Sequence, residues 1–165
     1  LAPALARARV EYVEDPFALS DDDARTPRAW VGIPVALDAS VALDPLHAVE
    51  RARSLGASFV VLKPTLLGGL ERTLQLAARA RAHGLKVVLS HTLEGPVGLA
   101  ALAHLALAAS ASAPRALWGA QGLAPWPGSE TFRRPGASLP IPHPYYLGGT
   151  RLLRPSSAGL GLRAG

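Results

Sequence analysis

Phe59-Val60-Val61-Leu62-Lys63-Pro64-Thr65 is the stretch on which the fold turns. Four consecutive apolar residues, two of them β-branched, closed by a proline, fit a strand buried on both faces, as in a parallel sheet. Lys63 would then stand at the strand's C-terminal end, the rim where α/β folds keep their chemistry. Lysine is otherwise almost missing, since of 17 Lys+Arg residues only Lys63 and Lys86 are lysine. Burying an ammonium is costly unless a carboxylate, a metal or an anionic ligand compensates. Its readily shifted pKa suits it to proton transfer. A lysine that snorkels to solvent is the competing explanation.

Working outward, four short apolar runs read as strands: Val10–Val13, Val35–Leu37, Phe59–Leu62 and Val87–Leu89. Each precedes a turn and a helical pattern. Pro45–Leu55 places Leu46, Val49, Ala52 and Leu55 at helical spacing, with Gly56 as the stop. Leu70–His83 does the same with Leu70, Leu74, Ala77, Ala78 and Arg81, closed by Gly84. Pro96–Ala111 is apolar nearly all round and should be well buried. Ser20–Arg28, with Asp21-Asp22-Asp23, reads as a short helix or a loop.

This alternation predicts a parallel sheet with crossover helices. Glu14, Asp38, Lys63 and Ser90 end the four strands, each about 25 residues after the last. One polar residue at each strand end with a near-constant repeat predicts part of a (β/α) barrel. No Gly-rich phosphate fingerprint follows any strand, which argues against a dinucleotide fold. Residues 1–114 are expected to hold four βα units. Residues 115–165 are rich in Pro and Gly and would close or cover the barrel, with Tyr145–Leu147 and Arg151–Leu153 as short strands.

Composition narrows the function classes. At 165 residues and 49% hydrophobic content the chain can bury a core. Without cysteine, disulfides and thiolate metal sites are excluded. The net charge of +5 could serve an anionic partner, but Arg7, Arg9, Arg51, Arg53, Arg72, Arg79 and Arg81 are scattered over expected helix exteriors. No basic run interleaved with aromatics is present, so no nucleic-acid partner is expected. No stretch has the length and continuity of a membrane span, and no signal peptide is visible, so a cytoplasmic location is expected.

Glu14 and Asp38 are two carboxylates on adjacent strand ends. Oxygen ligands of this kind suit Mg²⁺, and the lack of a nearby His or Cys argues against zinc. Either could instead pair with arginine or cap the next helix. Asp15 is turned off Glu14's face by strand alternation. Lys63 across from a cation on these carboxylates is an arrangement for stabilising an enediolate.

Val13-Glu14-Asp15-Pro16, Leu37-Asp38-Ala39-Ser40, Val61-Leu62-Lys63-Pro64-Thr65-Leu66-Leu67-Gly68-Gly69 and Ser90-His91-Thr92-Leu93-Glu94-Gly95-Pro96-Val97-Gly98-Leu99 together resemble the enolase superfamily. Within it they are most similar to the o-succinylbenzoate synthase branch, over roughly residues 10 to 110. The resemblance implies a Mg²⁺-dependent dehydratase of menaquinone biosynthesis acting on a small carboxylate substrate. By position it implies that Glu14 and Asp38 are metal ligands and Lys63 the catalytic lysine. Gly68 and Gly69 would approach the substrate through backbone N–H groups, and Ser90, Thr92 and Gly95 would help bind a carboxylate. The glycine pair could equally be a plain strand-to-helix turn, and Ser90–Gly95 a helix cap.

The chain departs from the pattern at Ala39, where the family usually has Glu. It also shows no match to the family's first metal-binding Asp or its Lys-x-Lys motif. A full barrel needs about 250 residues. The chain is therefore expected to be the C-terminal half of a barrel, inactive alone and completed by a missing N-terminal half or a second copy. An N-acylamino acid racemase or dipeptide epimerase of the same superfamily, and an inactive half-barrel module, are the alternative readings.

Overall fold

The computed structural model describes residues 2–16, 32–111, 114 and 121–123. They divide into two compact units, residues 2–16, 32–88 and 114 in one and 89–111 with 121–123 in the other. The expected Ser20–Arg28 element and the short strands of the tail lie outside the described residues.

The first unit opens with helix α1 (Ala2–Arg7), followed by strand β1 (Val13–Glu14). Next come β2 (Val35–Leu37), α2 (Ala39–Leu43), α3 (Ala48–Ser54) and β3 (Phe59–Leu62). Helices α4 (Pro64–Leu67) and α5 (Leu70–Ala82) lead into β4 (Lys86–Leu89). The strands form one sheet in the order β1-β2-β3-β4, with β1, β2 and β3 paired in parallel. The fold is thus an α/β parallel sheet with crossover helices, one part of a barrel.

Burial explains why these runs become strands. Every residue of β2 and β3 is buried, so each strand is covered on both faces, and the β-branched residues suit that packing. Glu14 pairs with Ala36, and Ala36 with Phe59. Paired residues in a parallel sheet share a face, and alternate residues return to it. Tyr12, Glu14, Ala36, Asp38, Phe59, Val61 and Lys63 therefore belong to one face. Its apolar part is a cluster of Ala36, Phe59, Val61 and Val88, against which Tyr12 packs. The Tyr12 and Phe59 rings lie 4.6 Å apart, and the Lys86 ammonium sits 5.0 Å from the Phe59 centroid. Helices α2, α3 and α5 pack against β3.

Several boundaries differ from the expected ones, each for a local reason. The first strand starts at Val13, because Val10 N–H donates to Leu5 O (3.4 Å) and closes α1, with Arg9 in the left-handed region. Helix α3 starts at Ala48, because the Asp44 carboxylate accepts from His47 N–H (3.4 Å) and lies 2.9 Å from His47 Nδ1, which forms a turn first. Leu46 is consequently 72% exposed instead of lying on the buried face. In α5 the buried residues are Thr73, Leu76, Ala77 and Ala80, while Leu70 and Leu74 are exposed. Small residues let this helix sit close to the sheet, and Thr73 Oγ1 donates to Gly69 O (2.8 Å), so its burial leaves no polar group unsatisfied.

In the second unit α6 spans Pro96–Ala111, as expected. It buries Leu99, Ala100, Leu102, Ala103, Leu105, Ala106 and Ala109, while Val97 is half exposed. A Cβ on Gly98 would fall 2.7 Å from Glu94 Cβ, so glycine is needed there. No helix among the described residues is long and apolar enough to cross a membrane.

Among the described residues Phe59 is the largest fully buried side chain, and it anchors the sheet face that carries Lys63. Phe59→Ala should cost about 3–5 kcal/mol of unfolding free energy, read from the shift in urea midpoint.

Candidate active site

Pro64 at the first position of α4 stops β3 and leaves Lys63 extended at the N-cap (φ −114°, ψ 98°). The lysine does not snorkel to solvent. Its Nζ donates to Asp38 Oδ2 at 2.6 Å, and the two side chains are only 21% and 16% exposed. Such a charge-assisted bond is short and strong, and partial burial reduces its screening. The second Asp38 oxygen, Oδ1, is buried and accepts no hydrogen bond. A buried carboxylate oxygen without a donor is costly to leave so, and it is open to a cation.

Glu14 completes the group. Although the residue as a whole is exposed, lost hydration pushes its carboxyl above the ordinary glutamate range. The negative charge of Asp38 pushes it further up, Lys63 pulls it down, and Asp15 adds a smaller upward push. The two carboxylates and the amine therefore lie within electrostatic reach of one another.

Asp15 has a different function, which the sequence did not suggest. Its Oδ1 accepts from Asp38 N–H (3.1 Å) and Ser40 Oγ (3.0 Å), and its Oδ2 from Ser40 N–H (3.3 Å). Its backbone is in the left-handed region (φ 35°). Asp38 occupies the N-cap of α2 but makes no capping bond with its side chain. Asp15 satisfies that helix start instead, which leaves the Asp38 carboxylate to face Lys63. Ser40, buried at 3% exposure two residues after Asp38, is the signal that could have revealed this.

Gly68 and Gly69 form the turn between α4 and α5, both at positive φ (86° and 116°). Both N–H groups donate to Pro64 O, at 2.8 Å from Gly69. In this structure the pair supplies a turn, and its N–H groups are engaged within it. Ala39 is exposed on α2, so the position where the resemblance leads one to expect Glu meets solvent here.

Ser90, Thr92 and Gly95 belong to the second unit. Ser90 forms a parallel bridge with Gly122, and its Oγ donates to Gly122 O (3.2 Å). Gly122 N–H donates to Leu89 O (2.9 Å), and Gln121 Oε1 accepts from Leu89 N–H (2.8 Å). A Cβ on Gly122 would meet Ser90 Oγ at 2.7 Å, so only glycine lets this segment lie so close. Glu94 organises the following loop, accepting from Thr92 N–H (2.5 Å) and Thr92 Oγ1 (2.7 Å). His91 Nδ1 accepts from Leu93 N–H (3.0 Å) and lies 3.9 Å from Glu94 Oε2. Leu93 takes a positive φ of 62°, and Gly95 O accepts from Leu99 N–H (3.0 Å) at the start of α6.

Among the described residues no group of three or more His, Cys, Asp or Glu is placed to hold a metal ion. Glu14 and Asp38 offer a pair of oxygen donors, one of them the uncommitted Oδ1. That donor set fits a hard divalent cation as part of its coordination shell.

Two measurements test this geometry. Asp15→Ala leaves Asp38 N–H and Ser40 N–H without an acceptor and should cost about 1–3 kcal/mol in urea unfolding, with Asp15→Asn costing less. Glu14 has a raised folded-state pKa, so the folded chain holds its proton more tightly than the unfolded chain, and this group lowers stability as pH rises past 4.5. Glu14→Gln should therefore shift the urea midpoint upward at neutral pH in metal-free buffer, with the gain vanishing in acid.

The enolase C-terminal domain-like family model matches residues 1–164. A curated protein from Citrobacter koseri named o-succinylbenzoate synthase is 34% identical over 134 residues, covering 81% of this chain and 40% of that protein. The chain thus spans about 40% of the length of such relatives. A solved enolase-superfamily member from Listeria innocua superposes with a TM-score of 0.67 at 26% identity, covering 97% of this chain and 40% of the other. Muconate cycloisomerase from Pseudomonas fluorescens gives a TM-score of 0.66 at 24% identity, with 97% and 41% covered, a likeness of fold alone. A family match running through all but the last residue, on a parallel sheet with Glu14, Asp38 and Lys63 at its strand ends, establishes that this chain belongs to the enolase C-terminal domain-like family.

Proposed function

We propose that this chain carries part of the active site of a Mg²⁺-dependent dehydratase that forms o-succinylbenzoate in menaquinone biosynthesis. The observation that supports this reading most directly is the 2.6 Å contact of Lys63 Nζ with Asp38 Oδ2, next to a buried Asp38 Oδ1 with no donor. The name carried by relatives at 34–36% identity supports the particular reaction.

In this reading Glu14 and Asp38 hold the cation. Bound there, Mg²⁺ would supply a positive charge for the substrate carboxylate and acidify the neighbouring C–H. Asp38 holds Lys63 in a fixed place through its Oδ2 oxygen. The ammonium then faces the enediolate and stabilises its negative charge until the β C–O bond breaks, the departing hydroxide taking up the proton removed from carbon and leaving as water. A preorganised cation does this without reorganising at the moment of reaction. Lys86, the one other lysine, lies over Phe59 and is not placed to act as the base.

Turnover of the complete protein on the dehydration substrate, followed by o-succinylbenzoate formation, tests the proposal. Lys63→Ala should lower kcat by about a thousandfold or more with the fold intact by circular dichroism. Lys63→Arg should not restore it, because a planar guanidinium cannot take the place of a compact ammonium. Asp38→Ala should raise the Mg²⁺ concentration needed for half-maximal activity. Near wild-type turnover in Lys63→Ala, or racemisation of an N-acylamino acid with no dehydration, would overturn the assignment.

A further inference from the structure

A cavity of 520 Å³ lies within the first unit, bordered by the turn before α3 and by α4 and α5. None of its lining residues belongs to the Glu14, Asp38 and Lys63 group. Leu67 and Leu76, at 5% and 9% exposure, line it as buried apolar surface. Leu46, 72% exposed, forms an apolar wall. That wall is held in place, because Arg79 Nη1 donates to Leu46 O (2.8 Å) while Arg79 Nη2 pairs with Glu50 (2.5 Å).

Arg72 also lines the cavity, and among the described residues its guanidinium makes no hydrogen bond or ion pair. Gly68 leaves room for it, since a Cβ there would stand 3.1 Å from Arg72 Nη1. Of the carboxylates on these elements, Glu50 pairs with Arg79, Asp44 with His47, and Glu71 accepts from Gln75 Nε2 (3.5 Å). The cavity thus has apolar walls, a fixed rim and one guanidinium with open donors. Its volume falls in the range of small-molecule sites, roughly 300–1,000 Å³. A guanidinium fork is matched to a carboxylate.

We propose that this groove binds a small amphipathic monocarboxylate, its apolar body on Leu46, Leu67 and Leu76 and its carboxylate on Arg72. Calorimetric titration of the complete protein with sodium octanoate tests it. The expected result is one saturable site per chain. Arg72→Gln should weaken binding by about tenfold, and Leu46→Ser should also weaken it. Acetate, which lacks the body, and octan-1-ol, which lacks the charge, should each bind at least about tenfold more weakly. Both substituted residues are exposed, so the fold and the rate of o-succinylbenzoate formation should be unchanged.

The proposal is overturned if octanoate shows no saturable heat, or binds Arg72→Gln as tightly as wild type. It is equally overturned if the heat survives Arg72→Gln but disappears in Lys63→Ala, which would place octanoate elsewhere. Self-association abolished by Leu46→Ser, without octanoate binding, would assign the groove to a second copy of the chain and also overturn it.

Discussion

The contact between Lys63 and Asp38 is the constraint around which the rest of this site is arranged. An ammonium and a carboxylate on neighbouring parallel strands meet at 2.6 Å with little solvent between them. Neither is comfortable there alone, since desolvating one unpaired charge costs several kcal/mol. The pair is possible because each partner is delivered by a strand fully buried on both faces, β2 and β3, which fixes where the strand ends stand. Pro64 then turns the chain away at once, so that Lys63 is left at the rim.

Charge balance around the pair explains what kind of ligand the site can take. Lys63 neutralises one carboxylate, yet Glu14 still experiences net repulsion and lost hydration. One more negative charge than positive remains among these three side chains. A divalent cation would relieve that excess and engage the unpartnered Oδ1 of Asp38. A neutral ligand would do neither. A preference for a hard cation would thus arise from unrelieved electrostatics as much as from the identity of the donors.

Much of this was legible in the sequence where burial writes continuous signals. β2 and β3 are uninterrupted apolar runs, and α6 is a long Ala/Leu segment begun by Pro96, so their limits follow directly from residue type. The positions of Glu14, Asp38 and Lys63 at strand ends followed with them. What stayed hidden depends on side chains reaching across the fold. The use of Asp15 to cap α2, the clasp of Thr92 by Glu94, and the seating of Gly122 against Ser90 leave no periodic trace. On α5 the expected face was right at Ala77 but wrong at Leu70 and Leu74, which are exposed, because Thr73 and Ala80 pack by being small, whereas periodicity weighs only how apolar a residue is.

Asp15 follows Glu14 directly in the chain while holding the backbone of Asp38 and Ser40. The two carboxylates of the site are thereby joined by a local clamp, independent of the chain between them. Loss of the Asp15 carboxylate would undo that clamp, since it accepts from Asp38 N–H, Ser40 N–H and Ser40 Oγ. A change that loosens this pair of acids can therefore fall one residue beyond Glu14 as well as at it.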